Sequence, residues 1–342
     1  MGGGWGGPAG RILGMLLVPC DPLNSRRVDP HFAAQADAAR KAGVRAARID
    51  HDALTQALAA LPTSAAVPTS TAVTDAATVT DPAALTDPAT VTDPAAVTAS
   101  AALTGPAGVA ASEAVAGVPA SDDAVYRGWM VTSAEYAALA DALGERDVRL
   151  RTSPAEYKTA HELPGWYDAL RSVTPESAWT DSADLAALED VRRQLGGGPA
   201  VLRDHVKSMK HYWHEAAYVP DLADADAVRR VAERFLELRG DSLAGGLVVR
   251  RFEEFVGAEA RTWWIGGRCA LVTPHPDTPD QLPQGLDLVE VEPLVANLAL
   301  PFVTVDLVRR TDGVWRVVEL GDGQVSDWPA SADPSDLVAA LF

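Results

Sequence analysis

The order of the first apolar segments constrains this chain more than any other feature of its sequence. An apolar run at residues 11–18 precedes a polar loop at residues 21–29, a helical pattern at residues 32–41 and a second strand at residues 44–49. Gly43 stands just past the helix, where a glycine commonly forms a left-handed cap. Strand, helix and strand in this order begin a parallel βαβ unit. The same order returns at Val125 to Val131, Ser133 to Leu143 and Val148 to Arg151.

The second half of the chain is richer in strands. Two tight turns, Gly266-Gly267 and Asp312-Gly313, are strong hairpin signals. The strands beside these turns are predicted at Ala260 to Ile265, Arg268 to Thr273, Phe302 to Arg309 and Val314 to Leu320. Two further strands, at residues 200–203 and 246–255, flank a predicted helix at residues 227–238. An antiparallel region that follows an α/β domain gives an α+β architecture.

Between the two parts lies a segment that repeats every six residues. From Val73 the chain reads VTDAAT, VTDPAA, LTDPAT, VTDPAA, VTASAA and LTGPAG. One aliphatic residue per hexad is compatible with a left-handed β-helix, although the segment is short for that fold. The recurring prolines and the lack of aromatic residues favour a solvated low-complexity loop. We therefore expect residues 55–121 to be an insertion that is dispensable for chemistry.

Composition excludes several classes of protein. The 342 residues carry a formal net charge of −18, which argues against a nucleic-acid surface. Cys20 and Cys269 are the only cysteines, so the chain has neither a disulfide framework nor a cysteine-rich zinc site. No apolar run approaches the roughly 20 residues of a membrane span, and the glycine-rich start lacks a secretory signal. We expect a cytoplasmic protein, a disordered tail at residues 1–14, and a homodimer as the default oligomer.

The few lysines indicate where an anion binds. Only Lys41, Lys158, Lys207 and Lys210 are lysines among 29 basic residues. Two of them fall in the run RDHVKSMKH at residues 203–211. A compact ammonium on a flexible stem suits a phosphate, although an exposed basic loop is the simpler alternative. The tri-glycine at residues 196–198 is either a second phosphate loop or a helix cap, and it lacks the Gly-Lys-Ser/Thr of a Walker loop.

Two carboxylates near the end of the chain indicate a cation site. Asp306 lies on one strand of the predicted hairpin, and Glu319 ends the other. Antiparallel pairing across the Asp312-Gly313 turn can place these side chains next to each other. Two neighbouring like charges are unfavourable unless a cation lies between them, and oxygen ligands suit magnesium. The alternative is a pair of carboxylates that face solvent at strand ends.

These residues belong to a set of motifs that resembles the R-to-K clade of the ATP-grasp proteins. The stretch VDLVRRTDGVWRVVELGDGQVSD resembles the last hairpin of that family. Six further stretches are similar to the clade, and they follow one another along the chain as they do in that clade: MLLVPCDPL, ELPGWYDAL, TPESAW, RDHVKSMKH, GGLVVRRFEEFVGAEARTWW and TPHPDTPDQLP. The resemblance implies an N-terminal α/β (pre-ATP-grasp) domain at residues 15–152. It implies an ATP-grasp domain, with two α+β lobes that enclose the nucleotide, at residues 153–342.

The resemblance also implies roles for residues. Asp306 and Glu319 would hold Mg-ATP, with Asp322 as third ligand because Gly321 replaces the usual asparagine. Arg203 stands where many relatives have a phosphate-binding lysine, so Lys207 or Lys210 would supply the ammonium. Arg261 would face phosphate or an acylphosphate. The strand at residues 248–254 would be the hinge that binds adenine through its backbone, with Arg251, Glu253 and Glu254 near the nucleotide.

The loop at residues 273–280 offers a further pair of candidates. Three prolines make this loop rigid, and His275 and Asp277 project from it. Rigid loops at strand ends commonly carry binding groups. The histidines of the chain are too scattered to indicate zinc. We therefore expect His275 and Asp277 to contact the nucleotide or a substrate rather than a metal.

The activity implied by the resemblance is an ATP-dependent ligation. A small-molecule or peptide carboxylate attacks the γ-phosphate of ATP to give an acylphosphate, and an amine or thiol then displaces phosphate. Positioning and charge neutralisation carry this catalysis, and no Ser or Cys nucleophile is required. Two alternatives stay open at this point: a non-catalytic nucleotide-binding module on the same scaffold, and a phosphotransferase that uses the same Mg-ATP site.

Overall fold

The structure, a computed structural model, describes residues 14–59 and 106–342. The predicted tail, apart from Gly14, and the greater part of the period-six segment lie outside the described residues. Five strands form the N-terminal sheet: β1 (Met15–Asp21), β2 (Asn24–Val28), β3 (Arg45–Ile49), β4 (Ser121–Tyr126) and β5 (Val148–Leu150). β1 pairs in parallel with β3 and β4, and β4 pairs in parallel with β5. The predicted βαβ arrangement is therefore confirmed.

The first loop of the prediction is corrected by the structure. Residues 21–29 contain β2, which pairs antiparallel with β1 to form a hairpin. The Asp21 carboxylate accepts a hydrogen bond from the Leu23 amide at 2.8 Å and fixes the turn. Most of β2 is exposed. A polar edge strand of this kind has no buried face, so hydrophobic alternation cannot reveal it.

Within the described ranges, six helices accompany the N-terminal half: α1 (Ala33–Lys41), α2 (His51–Ala59), α3 (Pro106–Ala114), α4 (Ser133–Gly144), α5 (Pro154–His161) and α6 (Leu163–Leu170). α4 and α5 each begin with a capping box, formed by Thr132 with Glu135 and by Ser153 with Glu156. Reciprocal bonds of this kind satisfy the free amides of the first turn and define where a helix starts. No helix among the residues described combines the length and apolarity needed to cross a bilayer.

Residues 106–121 belong to the folded N-terminal domain and not to a loop. They form α3 and the connection into β4. Ala111, Val115 and Val118 are buried in the same core as Leu139 of α4. The insertion was expected to span residues 55–121, and its predicted end is therefore too late in the chain. Its last residues are rich in alanine and valine, and they form a helix that packs into the core.

A small antiparallel sheet follows. Its strands are β6 (Ser177–Trp179), β7 (Ala200–Asp204), β8 (Tyr218–Val219) and β9 (Leu247–Arg251), in the order β6-β9-β7-β8. Helices α7 (Leu185–Leu195) and α8 (Ala225–Arg239) pack on it, with Leu188 of α7 and Phe235 of α8 in one cluster with Leu202 of β7. Gly196 ends α7 with a φ of 76°. Of the two interpretations of the tri-glycine, the structure therefore supports the helix cap. Residues 196–198 do not line the cleft described below.

The large sheet contains both predicted hairpins. Its strands are β10 (Phe255–Ile265), β11 (Arg268–Pro274), β12 (Phe302–Arg310) and β13 (Trp315–Asp322), in the order β11-β10-β12-β13. All three pairings are antiparallel. Two helices complete this region: α9 (Glu292–Asn297) and α10 (Pro334–Leu341). The mixture of helices with parallel and antiparallel sheets confirms the α+β prediction.

One shared core holds the N-terminal domain against the large sheet. Trp263 of β10 and Phe302 of β12 pack in a single cluster with Leu16, Phe32 and Leu337. The small sheet is joined to the large sheet both by packing, since Val248 of β9 shares a cluster with Val305 and Leu320, and by residues 252–254, which run directly from the end of β9 to the start of β10. This arrangement brings one edge of each sheet to a common cleft.

Candidate functional site

A cleft of about 400 Å³ opens where the three sheets meet. Most of the charged residues selected from the sequence line it: Arg203, Lys207, Lys210, Arg261, His275, Asp277, Asp306, Glu319 and Asp322. The small sheet contributes the first three, and the large sheet and its loops contribute the others. Residues more than a hundred positions apart in the chain are therefore neighbours here.

The two predicted carboxylates lie on adjacent strands. Asp306 of β12 pairs directly with Glu319 of β13, and the register shifts by a bulge immediately after Asp306. Directly paired residues on neighbouring strands point to the same side of a sheet. Both residues line the cleft. The juxtaposition expected from the hairpin is thus present.

Asp306 is held by an arginine on the next strand. Arg261 Nε donates to Asp306 Oδ1 and Nη2 donates to Asp306 Oδ2, both at 2.8 Å. Asp306 is 3% exposed. Burial alone raises the pKa of this carboxyl, but the charge and hydrogen bonds of Arg261 outweigh it and lower the pKa to about 2. Asp306 is therefore an ionised, rigidly oriented carboxylate.

His275 and Glu259 complete the surroundings of this pair. His275 Nε2 lies 3.0 Å from Arg261 Nη2 and 3.6 Å from Asp306 Oδ2. In the part of the chain that the structure describes, Glu259, His275 and Asp306 are the only group of three acidic or histidine residues with ligand atoms within 4.8 Å of one another. Arg261 lies among these three residues, and the four side chains together form an ion-pair network.

Glu319 has a looser environment. Its Oε1 lies 3.4 Å from Arg203 Nη2 of the small sheet, and its side chain is 45% exposed. This contact crosses from one sheet to another. Glu319 is therefore the more accessible of the two carboxylates for a cation that enters the cleft.

Asp322 differs from both. It is 1% exposed, and burial raises its pKa to about 7. Its Oδ1 accepts hydrogen bonds from the backbone and side-chain nitrogens of Gln324, at 2.9 and 3.1 Å. Its Oδ2 is buried without a hydrogen-bond partner among the residues described. An orphan carboxylate oxygen at the wall of the cleft is compatible with a third ligand, but it is less open than Glu319.

The small sheet supplies cations from a fixed turn. Asp204 Oδ1 accepts the backbone amides of Val206 and Lys207 at 2.7 and 2.5 Å, which shapes the turn after β7. Arg203 Nη2 donates to the Val206 carbonyl. Within the described ranges, the Lys207 side chain has no hydrogen bond or ion pair, and it lines the cleft. Lys210 instead forms an ion pair with Asp277 across the cleft, and both residues are exposed.

The structure places three predicted nucleotide-binding side chains elsewhere. Arg251 donates to the carbonyls of Leu195 and Gly197 at the end of α7. Glu253 accepts two hydrogen bonds from Arg316, both at 2.8 Å. Glu254 is exposed, and none of these three side chains lines the cleft. The segment itself does connect the two sheets, so the expected hinge position agrees with the fold although its side chains have other partners.

Six cleft residues from the N-terminal half were not selected from the sequence: His31, Phe32, Gly128, Trp129, Met130 and His161. Trp129 lies in the loop after β4, and His161 ends α5 next to the quoted stretch ELPGWYDAL. A histidine beside a family motif could have been flagged. Trp129 was missed because the sequence places it inside a predicted strand at Val125 to Val131, whereas β4 ends at Tyr126 and Trp129 lies in the loop that follows.

Comparison with known proteins is consistent with this geometry. Residues 194–341 match the model of family 3 in the R-to-K clade of ATP-grasp domains. This region is an ATP-grasp domain of the R-to-K clade. The resemblance seen in the motifs is therefore confirmed. A comparison with curated proteins yields no match.

Solved structures support the ATP-grasp fold over nearly the whole chain. The RimK domain ATP-grasp protein of Sphaerobacter thermophilus superposes with a TM-score of 0.52 at 15% identity, covering 96% of this chain and 99% of the other. The D-cycloserine synthetase DcsG gives 0.52 at 16% identity, with the same coverage. N5-carboxyaminoimidazole synthase of Aspergillus clavatus, solved with ADP and 5-aminoimidazole ribonucleotide, gives 0.50 at 11% identity, covering 97% and 77%. At such identities the likeness concerns the fold alone.

Proposed function

We propose that the protein is an ATP- and magnesium-dependent ligase that activates a carboxylate as an acylphosphate and transfers the acyl group to an amine or thiol. The ATP-grasp domain at residues 194–341 supports the nucleotide part of this proposal. Two of the similar structures are named as a synthetase and a synthase. The substrates we infer are a small-molecule or peptide carboxylate and a separate nucleophile.

One observation carries the proposal: acids on one wall of the cleft face cations on another. Asp306 and Glu319 lie together on β12 and β13. Arg203 and Lys207 come from the small sheet and line the same cleft. A nucleotide polyphosphate with a bound divalent cation needs both kinds of group, since the acids hold the cation and the bases hold the phosphates.

The donor set suits magnesium. Magnesium is usually held by one or two carboxylates and by substrate phosphates, and it keeps several waters. Glu319 is accessible, and Asp306 is ionised and oriented by Arg261. We assign the metal to these two residues, with Asp322 as third candidate because of its unpaired Oδ2. When bound, magnesium would neutralise the phosphate charge that develops during transfer.

The remaining polar groups divide into contact and support roles. Lys207, whose ammonium has no partner among the described residues, is our principal candidate for the phosphate-binding cation. Arg261 uses Nε and Nη2 on Asp306 and donates from Nη1 to the Asp327 carbonyl at 3.0 Å. It therefore acts mainly by orienting Asp306. Lys210, His275 and Asp277 form the rim where nucleotide or substrate enters.

Two measurements test the proposal. Calorimetry with ADP, with and without magnesium, should show affinity that depends on the metal. Incubation with ATP, magnesium, hydroxylamine and a panel of carboxylates should yield a hydroxamate, because hydroxylamine traps acylphosphates. A stable phosphorylated product in place of hydroxamate would indicate a phosphotransferase. Nucleotide binding without any hydroxamate or phosphorylated product would indicate a binding module.

A further inference from the structure

The described part of the N-terminal domain lines the cleft with His31, Phe32, Gly128, Trp129 and Met130, and so contributes no acidic residue, lysine or arginine to it, unlike the other two sheets. Trp129 and Met130 are adjacent in sequence, 41% and 40% exposed, and both line the cleft as its apolar wall. Large apolar side chains left half in solvent inside a cleft mark the place of an apolar part of a ligand. The nucleotide and metal roles proposed above use neither residue.

The indole is held in a defined orientation. Trp129 Nε1 donates to Asp29 Oδ2 at 3.0 Å. The ring contacts His31 with centroids 4.7 Å apart, and it meets Phe32 in an edge arrangement at 5.1 Å. A side chain fixed on three sides loses little entropy when a ligand packs on its free face. The exposed face of the indole is therefore held in a fixed orientation before any ligand binds.

The loop that carries Trp129 is also fixed. The Tyr126 hydroxyl donates to the Trp129 carbonyl at 2.7 Å. A Cβ at position 128 would lie 2.3 Å from that hydroxyl, so Gly128 is needed for the loop to pass this close. The Gly128 amide donates to the Gln324 carbonyl at 3.2 Å. The apolar wall is thus tied to the segment that directly follows β13, the strand of Glu319.

His161 extends this wall toward the charged end of the cleft. It is 8% exposed and stacks on Tyr157 with centroids 4.9 Å apart. The Tyr157 hydroxyl donates to the Val131 carbonyl at 2.7 Å, which joins the histidine to the Met130 loop. Among the described residues no group forms a hydrogen bond with its ring nitrogens, and the residue lines the cleft. A histidine that is nine-tenths buried, lines the cleft and has no hydrogen-bond partner among the described residues indicates a ligand there.

The surroundings of His161 favour its neutral form. Burial is the main cause, and it lowers the pKa to about 4. Glu162 opposes the shift, but its oxygens already accept from Ser133 and Lys158 at 2.6 Å. Lys207, Asp204 and Arg203 are the other charged groups that act on the ring. Anionic phosphates bound near Lys207 and Arg203 would favour protonation, which brings the imidazole into the range of a working base.

We propose that Trp129, Met130 and His161 form the subsite for the attacking amine, and that this amine carries an apolar group. The inference rests on the proposed ligase function. The cationic and acidic walls suit the phosphates, the metal and the carboxylate. The wall formed by Trp129 and Met130 is left for the second substrate, and the His161 imidazole lines the same cleft.

The chemistry assigned to His161 is a proton transfer. The neutral amine nitrogen forms a bond to the carbonyl carbon of the acylphosphate. The bond from that carbon to the phosphate oxygen breaks, and phosphate leaves with the electron pair. The proton that the nitrogen loses passes to a ring nitrogen of His161 and then to solvent.

The test compares amide with hydroxamate formation, because hydroxylamine is too small to need the apolar wall. Carboxylates are screened with ATP, magnesium and hydroxylamine. Any carboxylate that yields a hydroxamate is then offered the amides of leucine, phenylalanine, serine, glutamine and lysine as amines. We expect the KM for leucine or phenylalanine amide to be at least about tenfold lower than for serine amide. A preference for the polar amides would overturn the proposal.

Variants locate the effect. Trp129→Ala should lower the ratio of amide to hydroxamate about tenfold with leucine or phenylalanine amide. Trp315→Ala removes a tryptophan outside the cleft, whose indole donates to the Gly285 carbonyl at 3.0 Å, and should leave the ratio unchanged. An unchanged ratio in Trp129→Ala would contradict the assignment of the apolar wall.

His161→Gln separates proton transfer from packing. It should lower kcat for the amide about 100-fold and flatten the rise of kcat with pH, with a smaller change in KM. A purely structural role would leave the shape of the pH profile intact, and that result would overturn the assignment of His161. Failure of every carboxylate to yield a hydroxamate would instead contradict the ligase function, and with it this subsite.

Discussion

Two arginine–carboxylate pairs flank the cleft, and they are built differently. Arg261 and Asp306 lie on adjacent strands of one sheet and share two hydrogen bonds of 2.8 Å in a buried setting. Arg203 and Glu319 lie on different sheets, share one contact of 3.4 Å, and the Glu319 side chain is 45% exposed. The first pair belongs to the framework of a single lobe. The second joins two sheets and is open to solvent, so a cation that enters the cleft can compete for Glu319.

The difference shows how one site combines rigidity with exchange. A bidentate pair in a buried place keeps an acid ionised and oriented before any ligand arrives. A long contact between lobes costs little to break, because solvent and a ligand can replace it. We infer that Asp306 provides the fixed side of the metal site and Glu319 the exchangeable side.

The largest expected effect comes from breaking the buried pair. Asp306→Asn leaves the Arg261 guanidinium buried without its counter-charge, and we expect a loss of about 3–5 kcal/mol in the free energy of unfolding. Urea denaturation measures this. Asp190→Asn, which removes an exposed acid paired with Arg193, is the matched control and should cost less than about 1 kcal/mol. Equal losses in the two variants would mean that the buried Arg261–Asp306 pair contributes no more to stability than an exposed pair.

A pH series should separate the two sides of the cleft. His161, near Arg203, has a folded pKa of about 4 against a usual 6.5, so the unfolded chain takes up its proton first as the pH falls. The contribution of neutral His161 to the free energy of unfolding is therefore complete above pH 6.5. It is lost as the pH falls toward 4, and the loss amounts to up to about 3 kcal/mol. His161→Gln should remove this part of the pH dependence in urea denaturation.

Asp306 should show no such change over the same pH range. Its folded pKa of about 2 lies below the usual 3.8, so its contribution is complete above 3.8 and is lost only as the pH falls through about 2. The cost of Asp306→Asn should therefore stay constant between about pH 7 and pH 4. A cost that shrinks across this range would mean that the pair is weaker than its geometry indicates.

Glu319→Gln should affect ligand affinity more than stability. We expect magnesium-dependent ADP affinity to fall about 10- to 100-fold, since an oxygen ligand loses its charge. The free energy of unfolding should change by about 1 kcal/mol or less. Calorimetry and urea denaturation give the two values. Glu254→Gln, on the connector and outside the cleft lining, should leave affinity unchanged; a fall there would reinstate Glu254 as a nucleotide contact.

The smallest effect is expected at the exposed pair of Lys210 and Asp277. Both side chains are more than half exposed, at 57% and 60%. A double-mutant cycle with Lys210→Ala and Asp277→Ala should give a coupling below about 1 kcal/mol in the free energy of unfolding. The coupling should decrease further as salt is added. A larger coupling would mean that this contact holds the lobes together.

Much of the fold was predictable because local signals agreed with it. The Gly266-Gly267 and Asp312-Gly313 turns defined both hairpins, and a short turn sets the register of the strands beside it. The opposition of Asp306 and Glu319 follows from that register. The predicted helix start at Ser133 agrees with the structure, because the capping residue Thr132 lies next to it in the chain.

The errors fell where partners are distant or the pattern is polar. Glu253 was expected near a nucleotide, but its partner is Arg316, which lies 63 positions later. Strand alternation tells which side of a sheet a residue faces, and it does not tell which of many charged residues will be there. The exposed strand β2 and the alanine-rich helix α3 were missed because neither shows a strong apolar period.

By itself the sequence determined the strand and helix order, the two hairpins and the family to which residues 194–341 belong, since these depend on turns, caps and motifs read along the chain. Only the tertiary structure decided that Asp306 belongs to Arg261, that Glu319 stays accessible, and that Trp129 and His161 face the same cleft. These features depend on which charged and aromatic side chains come into contact between different strands and sheets. Such contacts are set by the packing of the shared core around Trp263 and Phe302, and no local signal encodes them.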